Sequence, residues 1–373
     1  MQESSNDSPN KPRPPGARKK GMADRPRSLA SAERPPVTHG YVRGFDGTKL
    51  FYSTEGKGKP LVFCYGLVCS SLHWTYQIEQ FQRTHQTVWF DYRGHQNSEV
   101  PKNLNSLTIE NIARDLGTVL DELGIQEAVL LGHSMGVNVV LDFYRQQPKR
   151  VLGMVLANGT AKRPLENLFR HNATQAAFAL LKKAYEKSPE LVSLLWKLQK
   201  GNPLTRTLVA LGGFNPHLTP RADIELYVDQ VAEMDPAILI HLIESYESFD
   251  ATSWLHTVKV PTMILAGEQD NMTPVEQQEL MRQLIPDSQL EIIRHGSHCP
   301  QMDLPELVNM KIDRFLERVG YSVEQAQNAQ NLKPTPKTKL SKPPVKEAES
   351  ILTRENANPT TAKHPDPAPA THA

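Results

Sequence analysis

Residues 127–140 read EAVLLGHSMGVNVV. An apolar run ends in Gly132-His133-Ser134-Met135-Gly136, and a helical pattern begins at once. Gly-x-Ser-x-Gly between a strand and a helix forces the serine onto a sharp, strained turn that pushes its hydroxyl out of the sheet. Glycines two residues to either side let the strand and helix backbones pass closely. The helix N-terminus beneath the serine favours developing negative charge. A bland alternative exists, a glycine turn bearing an inert serine. The flanking strand and helix weigh against it.

The rest of the chain repeats this rhythm. Runs at 40–45, 48–55, 60–65, 86–91, 127–132, 151–157, 260–266 and 288–293 read as strands. From residue 60 onward they are continuous and apolar rather than alternating, which suits central parallel strands covered on both faces. Asp46-Gly47 marks a hairpin between the first two. Helical patterns fall at 70–82, 109–123, 135–147, 274–285 and 304–318, with start signals at Thr108 and Thr273-Pro274. Alternating strand and helix predicts a doubly wound, mostly parallel α/β sheet of about eight strands with right-handed crossovers.

One interval breaks the rhythm. Residues 160–259 contain no convincing strand. They hold amphipathic patterns at 172–187, 189–200, 203–212, 222–233 and 236–248 instead. A helical insertion after the sixth strand predicts a cap over the C-terminal edge of the sheet, where open α/β sheets bind ligands.

A serine hydroxyl needs a base to take its proton and an acid to orient that base. Two downstream stretches offer them. In VPTMILAGEQDNMTP (260–274) a strand ends at Gly267 and Asp270 follows. In EIIRHGSHCPQMDLPE (291–306) a strand ends, Gly296 turns the chain, and His298 precedes a helix. Both lie just past strand C-termini, on the predicted edge of Ser134. Rivals remain open: His295 as the base, and Asp250 as the acid. Asn158-Gly159 stands after the preceding strand, but an amide cannot ionise. His73, His85 and His256 read as ordinary core or surface histidines.

Three ordered motifs, HSMG at the serine, VPTMILAGEQD at the acid and GSHCPQMDLPE at the histidine, resemble the α/β-hydrolase superfamily over residues 37–320. The resemblance implies a Ser134-Asp270-His298 triad, with Asp303 and Pro305 completing the pattern after the histidine. It also implies a backbone oxyanion hole from the amides of Leu67 and Met135, the former in VFCYGLVCSS (62–71). Gly66, Tyr65, Gly132, His133 and Gly136 would support it, and Ser71 and Trp74 would open the next helix. Two positions depart from the pattern. Tyr65 stands where relatives carry histidine. Gln96, in FDYRGHQNS (90–98), replaces a glycine. If Gln96 needs a positive φ it costs roughly 1–2 kcal/mol, and a slightly different loop is the simpler expectation. Asp91 and Arg93 read as a structural pair or network.

Composition sets the frame. Residues 1–36 hold seven of the 29 prolines and 321–373 hold eight, with few aromatics, so both ends are expected to be disordered. The domain reading is therefore a core of 37–160 and 259–320 interrupted by a cap at 161–258. The termini carry net +4 and +2 and the middle −5, which demands no nucleic-acid partner. Three cysteines, Cys64, Cys69 and Cys299, argue for a reducing, cytoplasmic setting and against a disulfide framework. A lone Cys-x₄-Cys is a poor metal signal, so no metal or cofactor is implied. No secretory signal or membrane-length apolar run is visible, and Met22 is a possible second start.

These readings converge on a serine hydrolase acting on a small molecule, an ester of a small to medium apolar acid. The acyl preference rests on the cap runs FALL, LVSLLW and LVALGGF. Carbon–carbon bond hydrolysis, amide or peptide cleavage, perhydrolysis and non-catalytic binding are the alternatives. Asp-nucleophile reactions on epoxides or haloalkanes are disfavoured by the serine at 134. The partners of the tails are not legible.

Overall fold

The computed structural model describes residues 37–164 and 173–322. These fall in one unit of the chain, 1–329, and the other unit, 330–373, lies outside them. So do the two terminal stretches expected to be disordered, except Tyr321 and Ser322. Tyr321 corrects the predicted boundary at 320. It is buried, its hydroxyl donates to Pro60 O at 2.9 Å, and its carbonyl meets His85 Nε2 at 3.1 Å.

Eight strands form one sheet: β1 (Val37–Arg43), β2 (Lys49–Glu55), β3 (Pro60–Cys64), β4 (Gln86–Phe90), β5 (Ala128–His133), β6 (Val151–Ala157), β7 (Thr262–Gly267) and β8 (Ser288–Ile293). Their order is β1-β2-β4-β3-β5-β6-β7-β8. The β1–β2 hairpin is antiparallel, closes Arg43 against Lys49, and turns at Gly47 with φ +84°. β2 pairs antiparallel with β4, and all later pairings are parallel. Every residue of β5 and β7 is buried, as their continuous apolar runs require. The outer strands β1 and β8 are partly exposed and more polar.

The chain steps from β3 outward to β4, then returns across β3 to β5. The loops after β3 and β5 therefore diverge at the same point of the sheet edge, the crevice where open α/β sheets place ligands. The crossovers carry α1 (Thr75–Phe81), α2 (Ile109–Glu122), α3 (Met135–Gln146) and α9 (Val275–Leu284), and the sheet is followed by α10 (Pro300–Asp303) and α11 (Pro305–Arg318). α1 packs against α11 and α2 against α3. Thr108 caps α2 by accepting from Asn111 N at 3.1 Å. Thr273 does not cap α9, because its hydroxyl is used elsewhere.

Between β6 and β7 lie α4 (Ala173–Lys187), α5 (Pro189–Lys197), α6 (Pro203–Gly213), α7 (Arg221–Glu233) and α8 (Pro236–Ser248). No helix among the described residues is long and apolar enough to cross a membrane.

Gln96 adopts φ +43°, so the loop keeps the left-handed turn rather than relaxing away from it. Gln96→Gly should raise stability by about 1 kcal/mol, the αL penalty less the entropy cost of glycine. A denaturant midpoint that moves down instead would show that the Gln96 side chain contributes more than its backbone costs. Asp91 and Arg93 do not pair with each other. Arg93 is buried and binds Asp115 through Nε and Nη2, both at 2.7 Å, and Asp46 at 2.9 Å. Asp91 accepts from Asn97 N at 3.1 Å and Nδ2 at 2.8 Å. Burial pushes its pKa up to about 6.

Candidate active site

The elbow after β5 is strained as its motif demands. Ser134 sits at φ +54°, ψ −124°, and its amide donates to Ala157 O at 3.0 Å. Its two glycines have separate reasons. A Cβ on Gly132 would lie 2.5 Å from Gly136 O, and one on Gly136 would lie 2.4 Å from Cys64 O. Backbone meets backbone at both places, so neither can give way.

The loops after β5, β7 and β8 bring Ser134, Asp270 and His298 together. Ser134 Oγ is 3.0 Å from His298 Nε2, and His298 Nδ1 is 2.9 Å from Asp270 Oδ2. A carboxylate only accepts, so the His298 proton resides on Nδ1 and Nε2 faces the serine hydroxyl with a lone pair. Asp270 is buried and heavily solvated by protein. Its Oδ1 accepts from Met272 N at 2.7 Å and Thr273 N at 2.9 Å. Its Oδ2 accepts from Asn158 Nδ2 at 2.6 Å and meets Thr273 Oγ1 at 2.7 Å. Burial alone would raise its pKa, but the facing His298 and these donors outweigh burial and lower it.

Asn158 and Thr273 were not read from the sequence as parts of this site. Asn158, at φ +47°, occupies the rival acid position and donates to the acid instead. Its place directly after β6 was the available signal. His295 turns away: its ring is 60% exposed and its amide donates to Glu268 Oε2 at 2.9 Å. Asp250 accepts from the Thr252 amide and hydroxyl, apart from His298. Asp303 anchors the histidine loop, accepting from Ser297 N at 2.6 Å through Oδ2 and from Asn215 N at 3.2 Å through Oδ1.

His133, inside the elbow, tethers the same loop. Its Nε2 is 2.8 Å from His298 O, which can only accept, so His133 is protonated there. Its Nδ1 then accepts from His73 Nδ1 at 3.1 Å. Burial and the facing His73 push the His133 pKa well down, and burial takes His73 down to about 3, so both rings stay neutral. His73 is thus a partner of the elbow rather than an ordinary core residue. His73, His133 and Cys299 each bring a possible metal ligand within 4.8 Å of the others. The hydrogen-bond chain already occupies both Nδ1 atoms and His133 Nε2, which favours reading the cluster as a network.

The loop after β3 supplies the remaining wall. A Cβ on Gly66 would stand 3.0 Å from Ser134 Cβ, so glycine lets this loop approach the serine. The amides of Leu67 and Met135 donate to no backbone acceptor among the described residues. Tyr65 does not reach toward them. Its ring stacks on Tyr92 at 4.2 Å, its hydroxyl accepts from Tyr92 N at 2.9 Å, and its carbonyl accepts from Tyr92 OH at 2.9 Å. Ser70, rather than Ser71, caps the following 3₁₀ turn through Leu72 N at 3.2 Å, and Trp74 Nε1 donates to Cys64 O at 3.0 Å. All three cysteines are free and buried.

From the inserted helices, α8 sends Tyr246 to the site. Its hydroxyl is buried and faces Ser134 without a partner that closes a hydrogen bond among the described residues. α7 reaches the β3 loop, where Ser70 Oγ donates to Gln230 Oε1 at 2.8 Å.

A doubly wound sheet with a serine elbow at its switch point defines a class, and comparison with known proteins places the chain within it. Residues 59–305 match the alpha/beta hydrolase fold family, and the chain belongs to that family. It is similar to human epoxide hydrolase 4, 27% identical over 293 residues covering 75% of this chain and 79% of that one. It is also similar to the putative carbamate hydrolase RutD of Azorhizobium caulinodans, 24% identical over 72% of this chain and 95% of that one. Among solved structures, a thermophilic esterase from Thermogutta terrifontis superposes with a TM-score of 0.64 at 22% identity, over 76% of this chain and 99% of that one. The enol-lactonase from Burkholderia xenovorans superposes at 0.60 and 19% identity, over 74% and 100%. The last two likenesses concern the fold.

Proposed function

We propose that this hydrolase is a serine enzyme that cleaves carboxylic esters. One observation carries the reading: Ser134 Oγ, His298 Nε2 and Nδ1, and Asp270 Oδ2 stand in line at 3.0 and 2.9 Å. Ser134 attacks the ester carbonyl while His298 takes its proton. Asp270 holds the imidazolium that forms. The Leu67 and Met135 amides receive the oxyanion. His298 returns the proton to the leaving alkoxide, and water, activated by the same histidine, releases the acid. α4–α8 act as a cap over the edge, with Tyr246 facing the reacting atoms. No step calls for a metal or organic cofactor.

Epoxide opening, the activity named for the human relative, fits this site poorly. A serine that opened an epoxide would be left as an ether, which a histidine-activated water does not cleave. An acyl-serine is cleaved readily. The acyl preference loses its first argument. Leu180, Leu194, Leu195 and Leu208 of the runs cited for it are exposed to solvent, while Leu211 borders a cavity shared with Phe214, His295 and Ser297. Three free cysteines agree with a reducing compartment such as the cytoplasm.

The test is labelling with a fluorophosphonate and mapping of the adduct, followed by ester, carbamate, amide, diketone and epoxide substrates. The adduct is expected on Ser134, with esters turned over fastest. An unlabelled protein, or turnover confined to epoxides, rejects the reading.

A further inference from the structure

We propose that α5 and α6 form a face that docks on anionic phospholipid bilayers, a role separate from the proposed reaction and independent of it. Each helix is already anchored on one side. Trp196 of α5 packs on the core and its Nε1 donates to Val231 O of α7 at 3.3 Å. Val209 and Ala210 of α6 pack against the cluster of Phe214, Ile224 and Val228. Their opposite sides are leucine rather than polar. Leu191, Leu194, Leu195 and Leu198 recur at i, i+3, i+4 and i+7 along α5 and its C-terminal cap, and Leu204, Leu208 and Leu211 at i, i+4 and i+7 on α6. These seven are 52–67% exposed. Both helices pack on α7, so both stripes face away from a common support. A helix apolar on both sides ordinarily has something covering each of them.

Charge selects the occupant. Residues 173–222 carry seven Lys or Arg against two Asp or Glu, while 223–248 carry seven Asp or Glu and no Lys or Arg. The leucine-bearing layer is thus the cationic one. Lys182, Lys200 and Arg206 pair with acids of α7 and α8, and Arg221 pairs within α7. Lys183 and Lys187 of α4, which packs against α5, and Lys197 of α5 are exposed and have no ion-pair partner among the described residues, so their charge is available. Exposed leucines in a lysine-rich layer suit an interface where apolar side chains enter the acyl boundary and cations meet anionic headgroups. A second copy suits it less, because a two-fold contact sets the same lysine rim against itself. The N-terminal stretch is a poor cover too: residues 1–36 hold one leucine and no Ile, Val, Phe, Trp or Tyr.

The full chain is floated with unilamellar vesicles of phosphatidylcholine, alone or mixed with phosphatidylserine. It should rise with the anionic vesicles, bind the neutral ones more weakly, and be released by high salt. Leu194→Ser, Leu198→Ser and Leu208→Ser should each weaken binding about tenfold. Lys183→Gln, Lys187→Gln and Lys197→Gln should each weaken it about fivefold, on anionic vesicles alone. A melting transition close to wild type identifies variants that are folded. No flotation of the wild type, or undiminished flotation of a folded triple-leucine variant, overturns the proposal. So does a wild-type dimer that the leucine variant converts to monomer, since the face is then a contact between copies.

Discussion

Ser134→Ala should lower kcat on a small aryl ester by about 10⁴–10⁶-fold while leaving the fold intact. Among the described residues, the hydroxyl is the one nucleophilic group within hydrogen-bond reach of His298 Nε2, at 3.0 Å. Removing it leaves only the oxyanion donors and substrate binding to favour the reaction, which accounts for the residual rate. The alanine also relieves nothing in the backbone, because its Cβ meets the same φ of +54°. KM should change much less than kcat, since the lost interaction belongs to the transition state. Turnover equal to wild type would place the nucleophile elsewhere.

Asp270→Asn is expected to cost about 10⁴-fold in kcat by a different route. An asparagine that turns its amide nitrogen toward His298 Nδ1 drives the proton to Nε2, and the lone pair facing Ser134 is gone. The substitution also has a pH signature in stability. The lowered pKa of Asp270 means the ionised carboxylate favours the folded state. That contribution is complete above the unfolded value of about 3.9 and is lost as pH falls through the lower folded value. Wild type should therefore melt above the variant at neutral pH, with the gap closing below about pH 4. A kinetic loss under tenfold would move the orienting acid away from Asp270, and a pH-independent gap would contradict the assigned charge.

Much of the site was legible because its chemistry is written locally. Gly132, Ser134 and Gly136 announce a backbone crossing that only glycines permit, and the structure puts carbonyl oxygens within 2.5 Å of the missing Cβ atoms. Asp270 and His298 could be placed because each follows a strand, and parallel strands deliver their ends to one edge. Partnerships across the chain were not legible. Arg93 and Asp91 are two apart in sequence, yet Arg93 joins Asp115 and Asp46 while Asp91 joins Asn97. Asn158 looked like a failed acid and proved to be a donor to Asp270. Thr273 looked like a helix cap and is spent on the carboxylate.

The amphipathic runs of the insertion mark the sharper limit. Periodicity identifies helices α4–α8 well, since 3.6-residue spacing is a property of the segment itself. It cannot say whether an apolar stripe turns inward. That depends on which neighbour covers it, and here Trp196 goes in while Leu194 and Leu198 stay out.

The sequence by itself determined the strand–helix alternation, the strained serine turn and the order of serine, acid and histidine, because each depends on residues adjacent along the chain. Only the tertiary structure decided the proton positions on His298 and His133, the commitment of Tyr65 to Tyr92, and the outward leucine face. Those depend on which distant group happens to accept, stack or cover, and no spacing within one segment encodes that.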